Sequence, residues 1–385
     1  MKIFYFALIA GALLLAGAAG CHSSPQAFGQ AEMELFPLDF TPIAEAESIV
    51  DSVRIIALEE SDSSLLGEIE KILIDDQSRF IILAQNELFL FAADGRFLHR
   101  IGRQGRGPGE YVSIKDVCLT HSGAELLIYD GRQTVLKYAV ESGQYRQTIT
   151  LQGAESFFGE AIAPSAGGGF YVVTTDSENY SDVEQPFDCL YEFDAQGVLV
   201  DRSLPRTDYV IAMNLVTQSY PNKYILRPLD SENVCYELGA EPTPKPAYQL
   251  NFGTEGVPPR YVFDANGELD LQKYMFSDYF KMPIYIHEND QAFLFTAAGP
   301  EATSHDFIYL KESEKGVRLS SEFPEMRPFI FRGVGRDFFY GVVYPGLLLE
   351  EDVNQMSAFN RLIYNAFLGS EPAVDQPYLV GLKIK

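Results

Sequence analysis

Ile101-Gly-Arg-Gln-Gly-Arg-Gly-Pro-Gly-Glu-Tyr111 is the stretch that decides how the chain is read, because it lies between two strand patterns. Upstream, Leu88-Phe-Leu-Phe-Ala-Ala-Asp-Gly-Arg-Phe-Leu-His-Arg-Ile101 reads as two short strands around an Asp94-Gly95 hairpin. Downstream, Ile114-Lys-Asp-Val-Cys-Leu119 opens another. The four glycines between them supply tight turns that other residues resist. A connector of this kind carries the chain from the end of one antiparallel unit into the next, and the pattern recurs at roughly 40 to 50 residues, the length of a propeller blade.

The first unit comprises Ile69 to Asp75, Arg79 to Leu83, Leu88 to Phe91 and Phe97 to Ile101, with turns at Asp75-Asp76, Gln85-Asn86 and Asp94-Gly95. A second repeats the order through Ile114–Leu119, Glu125–Tyr129, Thr134–Tyr138 and Tyr145–Ile149. A third runs from Phe157 to Leu204, and a looser fourth includes Lys223–Arg227, Asn233–Leu238 and Ala247–Phe252. The fifth starts near Lys281, and the last uses Phe329–Phe331, Asp337–Val343 and Pro377–Ile384. That last unit lacks an outer strand of its own, and Ile49 to Leu58 can supply it by pairing with the closing strand. The expectation is an all-β, six-bladed propeller of four-stranded antiparallel blades, closed by its N- and C-terminal strands, with five or seven blades as alternatives. Insertions break the period at Asp176–Pro186 and Val257–Tyr279, and Met356 to Phe367 is apolar at helical spacing. In the Val257–Tyr279 region, Tyr261, Tyr274, Tyr279 and Phe280 are candidates for an exposed recognition surface, weighed against a small apolar plug beneath the loop.

Ahead of the repeats, Lys2 is followed by an apolar run from Ile3 to Ala19 and by Ala18-Ala-Gly-Cys21, the pattern of a secretory leader. A cysteine directly after Ala-Ala-Gly resembles a bacterial lipobox, although Ala18 stands where that pattern prefers a larger aliphatic; the resemblance implies lipidation of Cys21, with ordinary secretory cleavage as the alternative. The expected organisation is a signal peptide over 1–20, a linker over 21–48 that begins at a lipidated Cys21, and the propeller over 49–385. Cys118, Cys189 and Cys235 lie inside apolar strand patterns and read as buried free thiols. The five histidines are scattered singly and no pair has metal-ligand spacing, so neither a metal site nor a cofactor is expected. With 29 Lys+Arg against 54 Asp+Glu, the net charge of -25 excludes nucleic acid as a partner and limits membrane contact to the lipid anchor.

The lipobox-like start, the Gly-Arg-Gln-Gly-Arg-Gly-Pro-Gly-Glu-Tyr segment, the Asp94-Gly95-Arg-Phe-Leu hairpin and the Leu-Lys-Ile-Lys end together resemble the six-bladed propeller lipoproteins of Bacteroides and relatives. Those proteins are related to NHL-repeat propellers. The resemblance implies a cell-envelope propeller, lipid-anchored in the outer membrane and facing the periplasm, and it implies little about chemistry.

In a four-stranded blade, the connector between blades opens on the same face as the mouth of the channel. Arg103, Arg106, Glu110 and Tyr111 are therefore the candidate ligand-binding residues, two guanidiniums being suited to a carboxylate or to sugar hydroxyls. The competing account is structural: the arginines pair with acidic neighbours while Glu110 caps glycine amides. A phosphate cradle is excluded by context, since no helix follows and Pro108 lacks an amide donor. No nucleophile elbow or spaced triad is present. Glu68, Asp116 and Glu160 are inner-strand acids of the kind lactonase propellers place on a metal, yet nothing in their spacing specifies that role. The reading is a monomeric binding or scaffolding module for an envelope protein or a small ligand. Its rival is a lactonase-like hydrolase or glycan lyase with a site in the channel, and a sensor acting on a transporter is a third possibility.

Overall fold

The computed structural model describes residues 34–42, 45–61, 64–154, 158–174, 187–206, 215–221, 223–227, 233–239, 244–258, 270–300, 303–322, 329–349, 352–354, 356–368 and 376–385. The leader with Cys21, the Asp176–Pro186 insertion and Tyr261 lie outside these residues.

Strands β1 (Glu34–Pro42) and β2 (Val50–Ala57) precede the repeats. Blade one is β3 (Ile69–Ile74), β4 (Phe80–Ala84), β5 (Glu87–Phe91) and β6 (Phe97–Arg100). Blade two is β7 (Asp116–Leu119), β8 (Glu125–Tyr129), β9 (Thr134–Ala139) and β10 (Tyr145–Thr150). Blade three is β11 (Ala161–Pro164), β12 (Phe170–Val173), β13 (Phe187–Phe193) and β14 (Leu199–Arg206). Blade four follows with β15 (Val216–Ser219), β16 (Lys223–Leu226), β17 (Val234–Leu238) and β18 (Lys245–Asn251). Blade five is β19 (Lys281–Glu288), β20 (Ala292–Ala298), β21 (Ser304–Leu310) and β22 (Lys315–Glu322). Blade six takes β23 (Phe329–Val334), β24 (Phe339–Val343) and β25 (Tyr378–Ile384), and its fourth strand is β2, antiparallel to β25 with Val50 opposite Ile384 and Ala57 opposite Tyr378.

Six antiparallel blades thus stand in a ring, as the repeat pattern predicts. The residues read as a linker hold a strand: β1 pairs in parallel with β18 through Glu34–Pro37 and with β22 from Leu38 onward, so that blades four and five join into one nine-stranded sheet. Among the described residues, three short α-helices interrupt the connections. These are α1 (Leu271–Met275) between blades four and five, and α2 (Pro345–Leu349) and α3 (Ala358–Leu368) between β24 and β25. Among the described residues of the Val257–Tyr279 region, Tyr274 and the adjoining Phe280 are buried, Tyr279 is half-buried, and Phe280 packs with Phe252 and Phe307 in an apolar cluster.

Apolar side chains of neighbouring blades face one another, and the core is accordingly distributed between blades. One cluster joins blades one and two, another blades four and five, and a third blades five and six with α3. Cys118 and Cys189 are buried in a cluster shared by blades two, three and four, and Cys235 is buried in the one between blades four and five. Antiparallel connectivity puts the first-to-second and third-to-fourth strand turns of each blade on one face. The second-to-third loops and the links between blades share the other face. Leu65, Val112, Phe158, Phe276, Leu347 and Leu368, all exposed, lie on connections of that second face.

Candidate functional site

All six innermost strands begin at the face that carries the long connections, and they enclose a cavity of about 240 Å³ there. Every blade contributes to its wall: Glu70 and Lys71 from blade one, Lys115 and Asp116 from blade two, Glu160 and Ala161 from blade three, Leu215 to Gln218 from blade four, Tyr285 and His287 from blade five, and Arg332 from blade six. Below it, Gln218 crosses to the opposite blade, its amide oxygen accepting from the Ile74 N–H at 2.8 Å and its amide nitrogen donating to the Ile74 carbonyl at 2.9 Å. Thr217 donates to the Ile286 carbonyl, which ties blade four to blade five at the same level.

Most of the charge on the wall is internally balanced. Lys71 donates to Asp116 at 2.6 Å, and the other oxygen of Asp116 accepts the Ile162 N–H at 2.9 Å. Lys115 is paired with Glu160. Arg332 differs: it has no acidic partner among the described residues, its Nε is buried without a hydrogen bond, and its guanidinium lies 4.5 Å from the centroid of the Tyr285 ring. Glu70, exposed at the mouth, likewise has no basic partner among them. His287 is 3% exposed, and neither ring nitrogen makes a hydrogen bond of ordinary geometry. Burial, chiefly, lowers its pKa to about 3, aided by the nearby charges of Arg332 and Lys71 and opposed by the adjacent Gln218 backbone. The ring is therefore neutral at physiological pH, one nitrogen a donor and the other an acceptor.

The backbone reveals how these groups reach the channel. In β19 the register with β20 slips twice, between Lys281 and Ile284 and again between Ile284 and His287, and Tyr285 sits at a φ of +50°. In β23 it slips between Phe331 and Gly333, at Arg332, and in β3 between Ile69 and Lys71, at Glu70. A bulge puts two residues opposite one and turns a side chain out of strict alternation. Glu70, Tyr285 and Arg332 all lie in such bulges.

The four residues singled out in the glycine-rich connector are placed otherwise, and none of them lines this cavity. Arg103 pairs with Glu110 at 2.5 Å, within the connector itself, and the Gly107 N–H donates to Glu110 at 2.7 Å. That amide, followed by Arg103, holds the Glu110 carboxyl below the usual range. Tyr111 is buried among blades one and two, where burial raises its pKa, and its N–H donates to the Arg103 carbonyl. Arg106 is exposed. Sequence reasoning missed His287 and Arg332, although each stands one residue beyond an apolar run, Ile284-Tyr-Ile286 in the fifth unit and Phe329-Ile-Phe331 in the last. A charged or titratable residue just inside an innermost strand was the available signal.

The fold and this wall define a class: a six-bladed propeller with a polar cavity at one mouth of its channel. The model of a family described as a domain of unknown function, DUF4934, matches residues 41–362, and the chain belongs to that family. Among solved structures, a Bacteroides fragilis protein named as exported is 15% identical with a TM-score of 0.72, over 91% of this chain and 99% of that one. A DUF4221 member from Bacteroides vulgatus is 9% identical with a TM-score of 0.48, over 87% and 97%. A search of curated proteins returns no match.

Proposed function

We propose that the protein is an exported, monomeric envelope propeller, anchored by lipid at Cys21 in the outer membrane and facing the periplasm, that binds a small ligand in the channel cavity. The observation that carries this reading is the cavity itself: six blades contribute to its wall, and Gln218 bridges the channel beneath it. Ligand sites in ring-shaped folds occupy such concavities, with a few polar groups fixing orientation. The leader pattern supports export, and so does the name of the Bacteroides fragilis relative in fold.

The enzyme reading has less behind it. Asp116 and Glu160, two of the acids a lactonase would place on a metal, reach the cavity but are each held by a lysine. Among the described residues no three His, Cys, Asp or Glu side chains converge in a metal-binding group. The exposed arginines of the connector, Arg103 and Arg106, belong to the rim in this account, and their replacement by alanine tests whether the ligand extends beyond the cavity.

Glu70→Trp, at an exposed lining position, fills the mouth without disturbing the core. Small molecules that co-purify with the natural chain, read by mass spectrometry of the denatured protein, are expected to disappear in this variant; their undiminished presence would overturn the cavity as the site. Cys21→Ala is expected to move the protein from the membrane fraction to the soluble periplasm, and retention in the membrane would refute the anchor.

A further inference from the structure

Arg332 is the exception on a wall where the other two cations are matched by acids. A guanidinium with a buried, unsatisfied Nε costs free energy unless something meets it, and stacking on an aromatic face leaves its N–H edges free. The platform is itself maintained at a cost, since an aromatic residue at a φ of +50° is strained and such strain persists where surrounding structure imposes it. His287, on the same strand as Tyr285, lines the same space within the electrostatic reach of Arg332 and Lys71, and its ring meets the Gln218 backbone without a hydrogen bond of ordinary geometry. A guanidinium and a neutral imidazole, both with hydrogen-bonding capacity to spare, thus border one cavity.

We infer that the cavity takes a small carboxylate-bearing molecule, its carboxylate gripped by the Arg332 guanidinium against Tyr285 and a neighbouring hydroxyl or carbonyl engaged by His287. Forked N–H donors match the two oxygens of a carboxylate, and a neutral imidazole both donates and accepts. The space equals that of roughly eight waters in the liquid, which suits a sugar acid or a short organic acid and excludes a folded domain. Glu70 at the mouth repels a second negative charge or receives an amine, and Lys71 and Lys115 are already occupied by their acids. This inference rests on the cavity being the ligand site.

The test is calorimetric titration of the full-length folded protein with the monocarboxylates galacturonate and lactate, each against its uncharged counterpart, galactose and lactamide. At least one acid is expected to bind saturably and its counterpart at least about tenfold more weakly, the difference a charge-assisted pair supplies. Arg332→Gln is expected to lose that affinity roughly ten- to hundredfold, while Arg332→Lys, which keeps the charge but not the fork, recovers part of it. Tyr285→Asn places a residue tolerant of the left-handed region at the strained position, and it is expected to fold while weakening the acid severalfold. It keeps the test open if Arg332→Gln does not fold. Equal binding of acids and neutral counterparts, both abolished by Glu70→Trp, would remove the carboxylate and leave the cavity. Acid binding indifferent to Glu70→Trp would remove the cavity as well. Failure of both acids to bind overturns the inference.

Discussion

An imidazole inside a propeller channel links protonation to stability. His287 has a folded pKa of about 3 against an ordinary value of 6.5, so as pH falls through 6.5 the unfolded chain takes up a proton that the folded chain refuses until near 3. Its stabilising contribution is complete above pH 6.5 and is lost progressively down to pH 3. The slope from this one group reaches at most about 1.4 kcal/mol per pH unit. Replacing His287 with Asn, which does not titrate, is expected to flatten urea-unfolding free energies between pH 6 and pH 4 relative to the natural chain; an identical acid slope in both would refute the assignment. A second residue-scale case is Gly102, at a φ of +66° with the ring of the fully buried Tyr138 where a Cβ would go, 2.7 Å away. Tyr138 donates to the Gly109 carbonyl at 2.6 Å, which joins this contact to the rest of the connector. Gly102→Ala is expected to cost about 1–3 kcal/mol in denaturant unfolding, and a loss below half of that range would show that the ring yields.

Among the elements, β1 and the bulged inner strands matter most. β1 adds a parallel neighbour to the outermost strands of two blades, covering edges that would otherwise present unpaired N–H and C=O groups. Deleting residues 34–42 is expected to lower the melting temperature by several degrees and to speed proteolysis at blades four and five; unchanged cleavage there would show that the edges need no cover. The same elements mark the limit of what could be read from sequence. The strands themselves were legible, because Leu88 to Phe91 or Ala292 to Thr296 carry apolar residues between turn signals. Bulges at Glu70, Tyr285 and Arg332 were not, because an extra residue in a strand looks like any other residue until its partner strand is in place. The pairing of β1 was hidden for a related reason: a lone parallel strand has no hairpin turn to announce it.

For the whole molecule, the decisive contact is Gln218 to Ile74, which links opposite blades across the channel. Gln218→Ala leaves the Ile74 N–H and C=O without this partner and is expected to cost about 1–3 kcal/mol, measured by chemical unfolding, while enlarging the cavity downward. A stability unchanged within experimental error would mean that water replaces the side chain fully. The two faces of the ring divide labour. One carries tight turns, and the other carries the long connections, the cavity mouth and exposed apolar side chains such as Leu65, Phe276 and Leu368. Among the described residues no helix is long and apolar enough to cross a membrane.

Repetition made the ring legible from the amino-acid sequence alone: short apolar runs, glycine turns and a blade-length period are local signals, and six of them in series leave little choice of architecture. The acidic composition and the buried thiols were legible for the same reason, since composition and apolar context require no partner strand. The cavity wall was decided only by tertiary structure. Its residues come from positions 70 to 332, between one and four at each innermost strand together with Leu83 from β4, and they meet because the ring brings those strands together around a channel. Which charges there lack an acidic or basic partner among the described residues, Arg332 among them, depends on the bulges and the cross-channel pairings, and these exist only once all six blades are assembled.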